Sequence, residues 1–295
     1  MTTPRRSLGA MLFPVGLLMI AMASIQSGAS LAKTLFPVIG AQGTTTLRLI
    51  FAAVIMVLLL RPWRATLTAR SLLTVVIYGI ALGGMNFLFY MALRSVPLGI
   101  AVALEFTGPL AVALFASRKP LDFLWIALAV LGLVLLVPTG DAQAGLDPVG
   151  VAYALGAGAC WALYILFGQK AGADNGIQGA ALGVVVAAVF IAPIGIVHAG
   201  TALLSPALLP VALGVAVLST ALPYSLEMVA LTRLPARTFG TLMSIEPAFG
   251  ALSGLLFLHE VLSFNQWLAI ASIITASIGA TLTMSREPHP TPVAD

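Results

Sequence analysis

Long apolar segments, each about the length of a lipid bilayer crossing, alternate with short polar connectors along the whole chain. The apolar runs are continuous and do not alternate at every second residue, which indicates helices and excludes a membrane barrel. A membrane-spanning helix needs about 20 apolar residues. The pattern predicts ten helices, at residues 12–32, 46–60, 72–92, 99–117, 122–138, 149–169, 179–198, 207–230, 237–257 and 265–284.

Composition also indicates that most of the chain is surrounded by lipid. Of the 295 residues 60% are hydrophobic and 8% are charged, and the mean hydropathy is +1.08, which a soluble core of this size does not require. The first segment follows Arg5 and Arg6 and could pass for a signal peptide, but it is longer than a typical signal-peptide core and contains Gln26 and Lys33. We interpret it as a retained first helix.

The positive charges predict the orientation, because short cytoplasmic loops collect Lys and Arg. With the amino terminus inside, and with Lys33 and Arg48 left out because they lie at or within helix ends, eleven cations lie on the cytoplasmic side and Arg94 lies in an external loop. The eleven are Arg5, Arg6, Arg61, Arg64, Arg70, Arg118, Lys119, Lys170, Arg233, Arg237 and Arg286. Both termini are therefore predicted to be cytoplasmic. The net charge of +4 reflects topology, and it does not indicate nucleic-acid binding.

The chain also shows signs of an internal repeat. Pro235 follows Pro97 by 138 residues, and Pro247 follows Pro109 by the same interval. We therefore predict an all-α polytopic membrane protein built from two five-helix repeats, with a linker near 139–148. Because five is an odd number, the second repeat is inverted relative to the first, as in many secondary transporters. The predicted units are 12–138, 149–284 and a cytoplasmic tail at 285–295.

Several polar side chains recur at helical spacing inside the apolar segments, where each needs a partner or a function. Small residues and Tyr at such spacing also occur on simple packing faces. For the side chains singled out here we favour the lining of a substrate cavity. The predicted lining residues are Gln26, Asn86, Tyr90, Glu105, Trp161, Tyr164, Tyr224 and Glu227.

Two prolines are expected to break helices beside buried carboxylates. Pro109 gives no N–H to the carbonyl of Glu105, and Pro247 directly follows Glu246. A carboxyl beside such a break can hold a cation, a substrate ammonium group or a proton, or it can pair with a basic residue for assembly.

Two basic residues belong to the same candidate set of proton or ion-pair sites, which comprises Glu105, Glu246, Arg48 and Lys33. Arg48 could neutralise one of the glutamates or bind a substrate carboxylate, and a structural ion pair is the favoured interpretation.

Enzymatic chemistry has no support in the sequence. The five Asp residues lie in loops, at helix ends or in the tail, and His259-Glu260 is followed by Val-Leu-Ser, so no H-E-x-x-H motif exists. No Walker A motif is present. We predict no cofactor and no metal, and the sequence carries no signal for an oligomeric state. A secondary transporter coupled to the proton gradient is the remaining class.

Five segments resemble one known family. They read MASIQSGASLAK, YGIALGGMNFLFYMAL, PLGIAVALEFTGPLAVALF, LGAGACWALYILFGQKAGA and STALPYSLEMVALTRLPARTFGTLMSIEPA. They are similar to bacterial amino-acid exporters of the EamA type, within the drug/metabolite transporter superfamily. The resemblance implies ten helices in two EamA repeats, an inner-membrane location, and export of small amino acids such as threonine and homoserine. The alternatives are broader metabolite or drug efflux and, from another class, a non-transporting membrane scaffold or receptor.

Overall fold

The structure is a computed structural model that describes residues 8–65, 67–115, 120–136, 146–231 and 242–283. Within these ranges every long element is a helix and no strand occurs. The helices are α1 (Leu8–Lys33), α2 (Phe36–Leu60), α3 (Ala69–Ala92), α4 (Leu98–Glu105), α5 (Thr107–Phe115), α6 (Pro120–Leu136), α7 (Pro148–Ala199), α8 (Leu209–Ala216), α9 (Leu222–Leu231), α10 (Glu246–Leu258) and α11 (Phe264–Thr283). Short 3-10 helices occupy Pro62–Arg64 and Gly200–Leu204, and a π-helical turn occupies Val217–Ala221.

Some sequence predictions lie outside the described residues. These are Pro235, most of the linker, the tail, and the cations Arg5, Arg6, Arg118, Lys119, Arg233, Arg237 and Arg286.

Five helical stretches are long and apolar enough to cross a bilayer. They are Phe13–Lys33, Phe36–Leu60, Ala69–Ala92, Pro148–Gly176 and Gln178–Leu204. Shorter apolar helices of 10–17 residues are Leu98–Val112, Phe123–Gly132, Leu209–Ala221, Glu246–Leu258 and Phe264–Gly279. Large apolar side chains such as Leu58, Phe123 and Val197 are exposed on the helix surfaces, as expected where lipid is the solvent.

The second helix begins earlier than predicted. The sequence prediction starts at residue 46, whereas α2 starts at Phe36 and includes a kink at Gly40, which has φ 66°. Glycine adopts this left-handed conformation without the steric cost of a Cβ. The polar run that looked like a connector is satisfied inside the helix, because the hydroxyls of Thr44 and Thr45 donate to the carbonyls of Gly40 and Ala41, each at 2.8 Å.

Helix α7 contains both the sixth and the seventh predicted helices. It runs for 52 residues and is interrupted at Gly176, with φ 57° and ψ −143°. Its two arms, Pro148–Gly176 and Gln178–Leu204, both pack against Tyr78 of α3, because Gly168 and Gly183 each leave room for that ring. The chain therefore folds back at Gly176, and α3 lies along both arms.

Three predicted helices are interrupted in the interior. The fourth is broken at Phe106 between α4 and α5, and the ninth has a turn at residues 244–245 directly before α10. The eighth continues from α8 to α9 through the π-helical turn Val217–Ala221. Because each interruption changes the backbone hydrogen bonding near a proline, it leaves polar groups at the depth where the other helices meet.

Helices from the two halves of the sequence pack against each other directly. Helix α1 packs on α9, α10 and the π-helical turn, α4 packs on α10, and α6 packs on α11. Glycines permit the closest approaches: a Cβ on Gly99 would lie 2.5 Å from the Cα of Ala251, and one on Gly108 would overlap the carbonyl oxygen of Gly158. The polar side chains of α1 are thereby held against the second half of the chain.

Candidate functional site

Three polar side chains of α1, those of Ser24, Gln26 and Ser30, form hydrogen bonds to the second half of the chain. The Gln26 side chain donates from Nε2 to Oε1 of Glu246 at 3.0 Å, and the Ser30 and Ser253 hydroxyls lie 3.0 Å apart. The Ser24 hydroxyl donates to the Leu218 carbonyl at 2.7 Å. All these side chains are buried. These hydrogen bonds therefore join α1 to α10 and to the π-helical turn.

Lys33 lies on the same helix but belongs to a different contact. Its Nζ is 2.7 Å from Oε1 of Glu260, and the other oxygen of that carboxylate accepts the backbone N–H of Leu98 at 2.7 Å. Glu260 thus caps the first turn of α4 and carries the ion pair with α1. This contact fixes the ends of three helical segments.

Arg48 is buried in α2 and donates to neutral oxygens. Its Nη2 donates to the Ser219 carbonyl at 3.0 Å, and its Nε lies 3.4 Å from the Thr220 hydroxyl. Its Cζ is 5.2 Å from the centre of the Tyr90 ring, a cation–π geometry. Among the described residues no carboxylate lies within 4 Å of the guanidinium. The favoured ion pair with Glu105 or Glu246 is not formed in this conformation.

Pro223 removes one backbone donor beside the Arg48 contact. A proline has no N–H, so residue 223 donates neither to the Ser219 carbonyl four residues earlier nor to the Leu218 carbonyl five residues earlier, which is the spacing of a π-helical turn. The π-helical turn at Val217–Ala221 lies directly before it, and such turns are common at functional sites. Pro223 was not among the predicted helix breaks, although it lacks the same N–H as Pro109 and Pro247.

Glu105 is the last residue of α4 and is buried. Its carboxyl has no hydrogen bond from any described residue, and it lies within electrostatic range of Glu246 and Arg48. Its carbonyl, which Pro109 leaves without a helical donor, packs on α7, where a Cβ on Gly158 would lie 2.7 Å from that oxygen. The predicted break at Pro109 thus places a carboxyl and a freed carbonyl side by side.

Five buried polar atoms near these breaks have no hydrogen-bond partner among the described residues. They are Gln26 Oε1, Tyr90 Oη, Ser219 Oγ, Glu227 Oε1 and Glu246 Oε2. A buried polar group left without a partner costs about 1–3 kcal/mol. Most such groups in folded proteins are satisfied, so this concentration indicates a place for a ligand or water.

Other predicted cavity residues have protein partners. The Asn86 amide donates to the Leu82 carbonyl of its own helix at 2.8 Å. Trp161 meets Phe106 edge to face at 5.3 Å, and Tyr164 stacks on Tyr78 at 5.1 Å. The side chain of Tyr224 lies outside the described residues. The structure therefore connects Gln26 with Glu246 and Arg48 with Tyr90, while Trp161 and Tyr164 form aromatic packing contacts.

Comparison with known proteins decides the family. The EamA-like transporter family matches residues 148–282. The threonine/homoserine exporter RhtA of Salmonella typhimurium (strain LT2) is 59% identical over 276 residues, which cover 94% of each chain. The exporter of the same name from Escherichia coli K12 is 57% identical over 274 residues, 93% of each chain. The chain belongs to the EamA-like transporter family.

Two more distant similarities concern a transporter and a solved structure. An uncharacterised transporter of Bacillus subtilis, YwfM, is 32% identical over 197 residues, covering 65% of this chain and 62% of the relative. A solved crystal structure covers 94% of this chain and 98% of its own, with a TM-score of 0.56 and 20% identity, and this likeness concerns the fold alone. Membership of the family, together with the apolar helices, makes the protein a multi-pass membrane transporter and not an enzyme.

A separate cleft of about 270 Å³ lies at the Gly40 kink of this EamA-like chain. It is lined by residues 36–42, Arg94, His198 and Ala199. None of the predicted site residues lines it, because the kink is near the start of α2 and those residues lie elsewhere.

Proposed function

We propose that the protein exports small amino acids, threonine and homoserine in the first place, across the bacterial inner membrane. The observation that carries this proposal is the 59% identity to a threonine/homoserine exporter across 94% of both chains. A similarity that extends over nearly the whole length includes the interior of the helix bundle, and it is not confined to a shared hydropathy pattern.

The substrate site is proposed to lie at the junction of α1, α10 and the π-helical turn. Among the described residues, five of the seven buried polar atoms without partners lie on these elements and on α3 and α9, and the other two belong to Asn175 of α7. In a bilayer such groups are costly unless they face protein, water or a ligand. Their position between the two halves of the sequence agrees with a ligand held where related segments meet.

The architecture that we propose is ten membrane spans in two inverted repeats, 12–138 and 149–284, with both termini cytoplasmic. It is supported by helical segments in each of the ten predicted ranges and by an interior break near both Pro109 and Pro247. In this scheme the break in α4–α5 and the break before α10 approach the membrane centre from related positions. Two such repeats can pack in two ways around one site, which allows alternating access.

Energy is proposed to come from the proton gradient, with Glu105 as the first candidate for the coupling proton. Its carboxyl lies at a helix break, is buried, and has no hydrogen bond from the described residues. A group without a fixed partner can change partner or protonation state during a transport cycle, whereas a group held in one structural pair cannot.

Transport into inverted membrane vesicles tests this function. Their cytoplasmic face is outside, so an exporter should accumulate labelled threonine added to the medium, and acidifying the lumen should increase the accumulation. Vesicles without the protein are the control. Uptake of other metabolites but not threonine or homoserine would indicate broader efflux, and no uptake of any solute would indicate a scaffold or receptor.

Reporter fusions test the orientation. We expect reporters placed after residue 65 and after residue 120 to show a cytoplasmic location, and one placed near residue 143 to show a periplasmic location. The physical reason is the excess of Lys and Arg in the loops assigned to the cytoplasm. A periplasmic signal at residue 65 would contradict the orientation.

A further inference from the structure

The guanidinium of Arg48 is a buried cation that no carboxylate of the described residues contacts within 4 Å, although Glu105 lies within its electrostatic range. Arg48 is 6% exposed, and its hydrogen bonds go to the Ser219 carbonyl and the Thr220 hydroxyl, both neutral groups. A buried charge is strongly disfavoured unless it is paired and hydrogen-bonded. The third nitrogen, Nη1, has no partner among the described residues. The described residues therefore leave a donor of this guanidinium available for an anion that binds in direct contact with it.

Two buried hydroxyls on residues that contact Arg48 also have no partner among the described residues. Ser219 Oγ belongs to the residue whose carbonyl accepts from Arg48, and Tyr90 Oη belongs to the ring that Arg48 faces at 5.2 Å. A hydroxyl can donate to a carboxylate oxygen, and a guanidinium presents donors with carboxylate geometry. A carboxylate is a group that could accept from all three donors: Arg48 Nη1, the Ser219 hydroxyl and the Tyr90 hydroxyl.

Gln26 and Glu246 present unpaired hydrogen-bond acceptors, whereas Arg48 and the two hydroxyls present donors. Gln26 Oε1 and Glu246 Oε2 are acceptors with no donor among the described residues, although the two side chains are joined by the 3.0 Å hydrogen bond. An ammonium group carries three donors and no acceptor. The acceptors and the guanidinium lie in one region of the interior, because Glu105 is within electrostatic range of both Glu246 and Arg48.

We propose that this region binds the two charged ends of one α-amino acid: Arg48 takes the carboxylate, and the Gln26–Glu246 pair takes the ammonium group. The inference rests on the proposed amino-acid export and assigns the polarity of that site. A zwitterion satisfies both ends at once. A simple amine or a neutral amide leaves Arg48 unpaired, and a carboxylic acid without an amino group leaves the acceptors unpaired, so both are disfavoured.

The assignment is tested with purified full-length protein, by competition of labelled threonine with unlabelled threonine and with threonine amide. The amide keeps the ammonium group and side chain but has no carboxylate. The wild type is expected to prefer threonine by at least about tenfold. Arg48→Gln should weaken threonine binding about 10- to 100-fold, the range for a hydrogen bond to a charged group, while amide binding changes less than about twofold. The exposed Arg70→Gln is the matched control and should keep the wild-type preference.

Loss of preference with retained amide binding separates recognition from misfolding, since a damaged fold weakens both ligands together. If Arg48→Gln does not reach the membrane, Ser219→Ala in otherwise wild-type protein should lower the threonine preference about three- to tenfold, because it removes one proposed donor. An undiminished preference in the folded variants overturns the carboxylate assignment. A wild type that binds neither threonine nor homoserine overturns the proposed export function instead.

Discussion

Two interior helix breaks each hold a glutamate, but the glutamates lie at opposite kinds of helix end. Glu105 is the last residue of α4, four residues before Pro109, whereas Glu246 is the first residue of α10, directly before Pro247. A helix C-terminus carries partial negative charge and an N-terminus partial positive charge. The spacing between glutamate and proline therefore decides whether the carboxyl lies near the partial negative charge or the partial positive charge of a helix end.

The two carboxyls also differ in their partners. Glu246 accepts a hydrogen bond from Gln26, while no described residue donates to Glu105. One glutamate is anchored to a neighbouring helix at the favourable end of its own helix. The other lies at the unfavourable end without a fixed donor. This difference makes Glu105 the better candidate for a group that changes state during transport.

The largest effect is expected from Glu105→Gln. Glutamine keeps the size and hydrogen-bonding capacity but cannot titrate, so gradient-driven threonine uptake into inverted vesicles should fall at least tenfold. Membrane abundance, measured by immunoblot, should stay normal, and exchange without a gradient can persist. Normal gradient-driven uptake by the folded variant would exclude Glu105 as the proton site and direct attention to Glu227 or Glu246.

The matched variant Glu246→Gln sharpens the same comparison. If Glu246 is an anchored group, its neutral form should retain a gradient dependence that Glu105→Gln has lost. A structural role for Glu105 predicts a different result: its removal would strand a cation and lower the amount of folded protein, and a second neutralisation at Arg48 would restore it.

The second largest effect concerns how tightly the first break is packed. Gly108→Ala places a Cβ onto the Gly158 carbonyl, and such overpacking costs about 1–3 kcal/mol. We expect a lower Tm in detergent. Gly172→Ala is the control, because nothing lies within 4 Å of a Cβ there, and its Tm should not fall. Equal Tm values for both variants would mean that the α5–α7 contact is looser than described.

A moderate effect is expected where the proposed cavity touches both halves of the chain. Asn86→Ala and Tyr224→Phe should each lower the threonine export rate about three- to tenfold, because each removes a polar group that a ligand can contact. Abundance in the membrane should remain normal. Unchanged transport at normal abundance in both variants would remove these residues from the cavity.

The smallest effect is expected at a third carboxylate, that of Asp147. It lies at a helix N-terminus and outside the apolar spans. Asp147 accepts from the Ser95 hydroxyl at 2.6 Å and from the N–H groups of Val149 and Gly150, and these bonds lower its pKa from 3.8, with the Ser95 bond contributing most. Its stabilisation is fully present above that ordinary pKa and is lost as the pH falls through the lower folded value. Asp147→Asn should lower Tm slightly at neutral pH, and the difference should vanish in acid. A constant difference would contradict the assignment.

Much of the fold follows from local sequence signals. Continuous apolar runs predict the helices, and prolines predict two of the interior breaks, because both signals act within one helical turn. The early start of α2 was not predictable in this way, since Gly40, Thr44 and Thr45 resemble a polar connector until the two threonine hydroxyls bond to the carbonyls of Gly40 and Ala41.

The site was predictable by residue type but not by pairing. Burial cost identified Gln26, Arg48 and Glu246 as residues that need partners. Which partner each finds depends on how helices more than 170 residues apart in sequence approach one another. Arg48 meets a backbone carbonyl where an ion pair was favoured, and Lys33 meets Glu260 at the helix ends.

Pro223 carries a consequence for how the sequence can change over evolutionary time. A residue with an N–H at position 223 would add a backbone donor directed at the carbonyl of Ser219 or Leu218, and the first of these accepts from Arg48. Substitutions at positions 48 and 223 should therefore be epistatic: the effect of each depends on the residue present at the other, because both act through one acceptor. Homologues that replace the proline are expected to differ at position 48 as well.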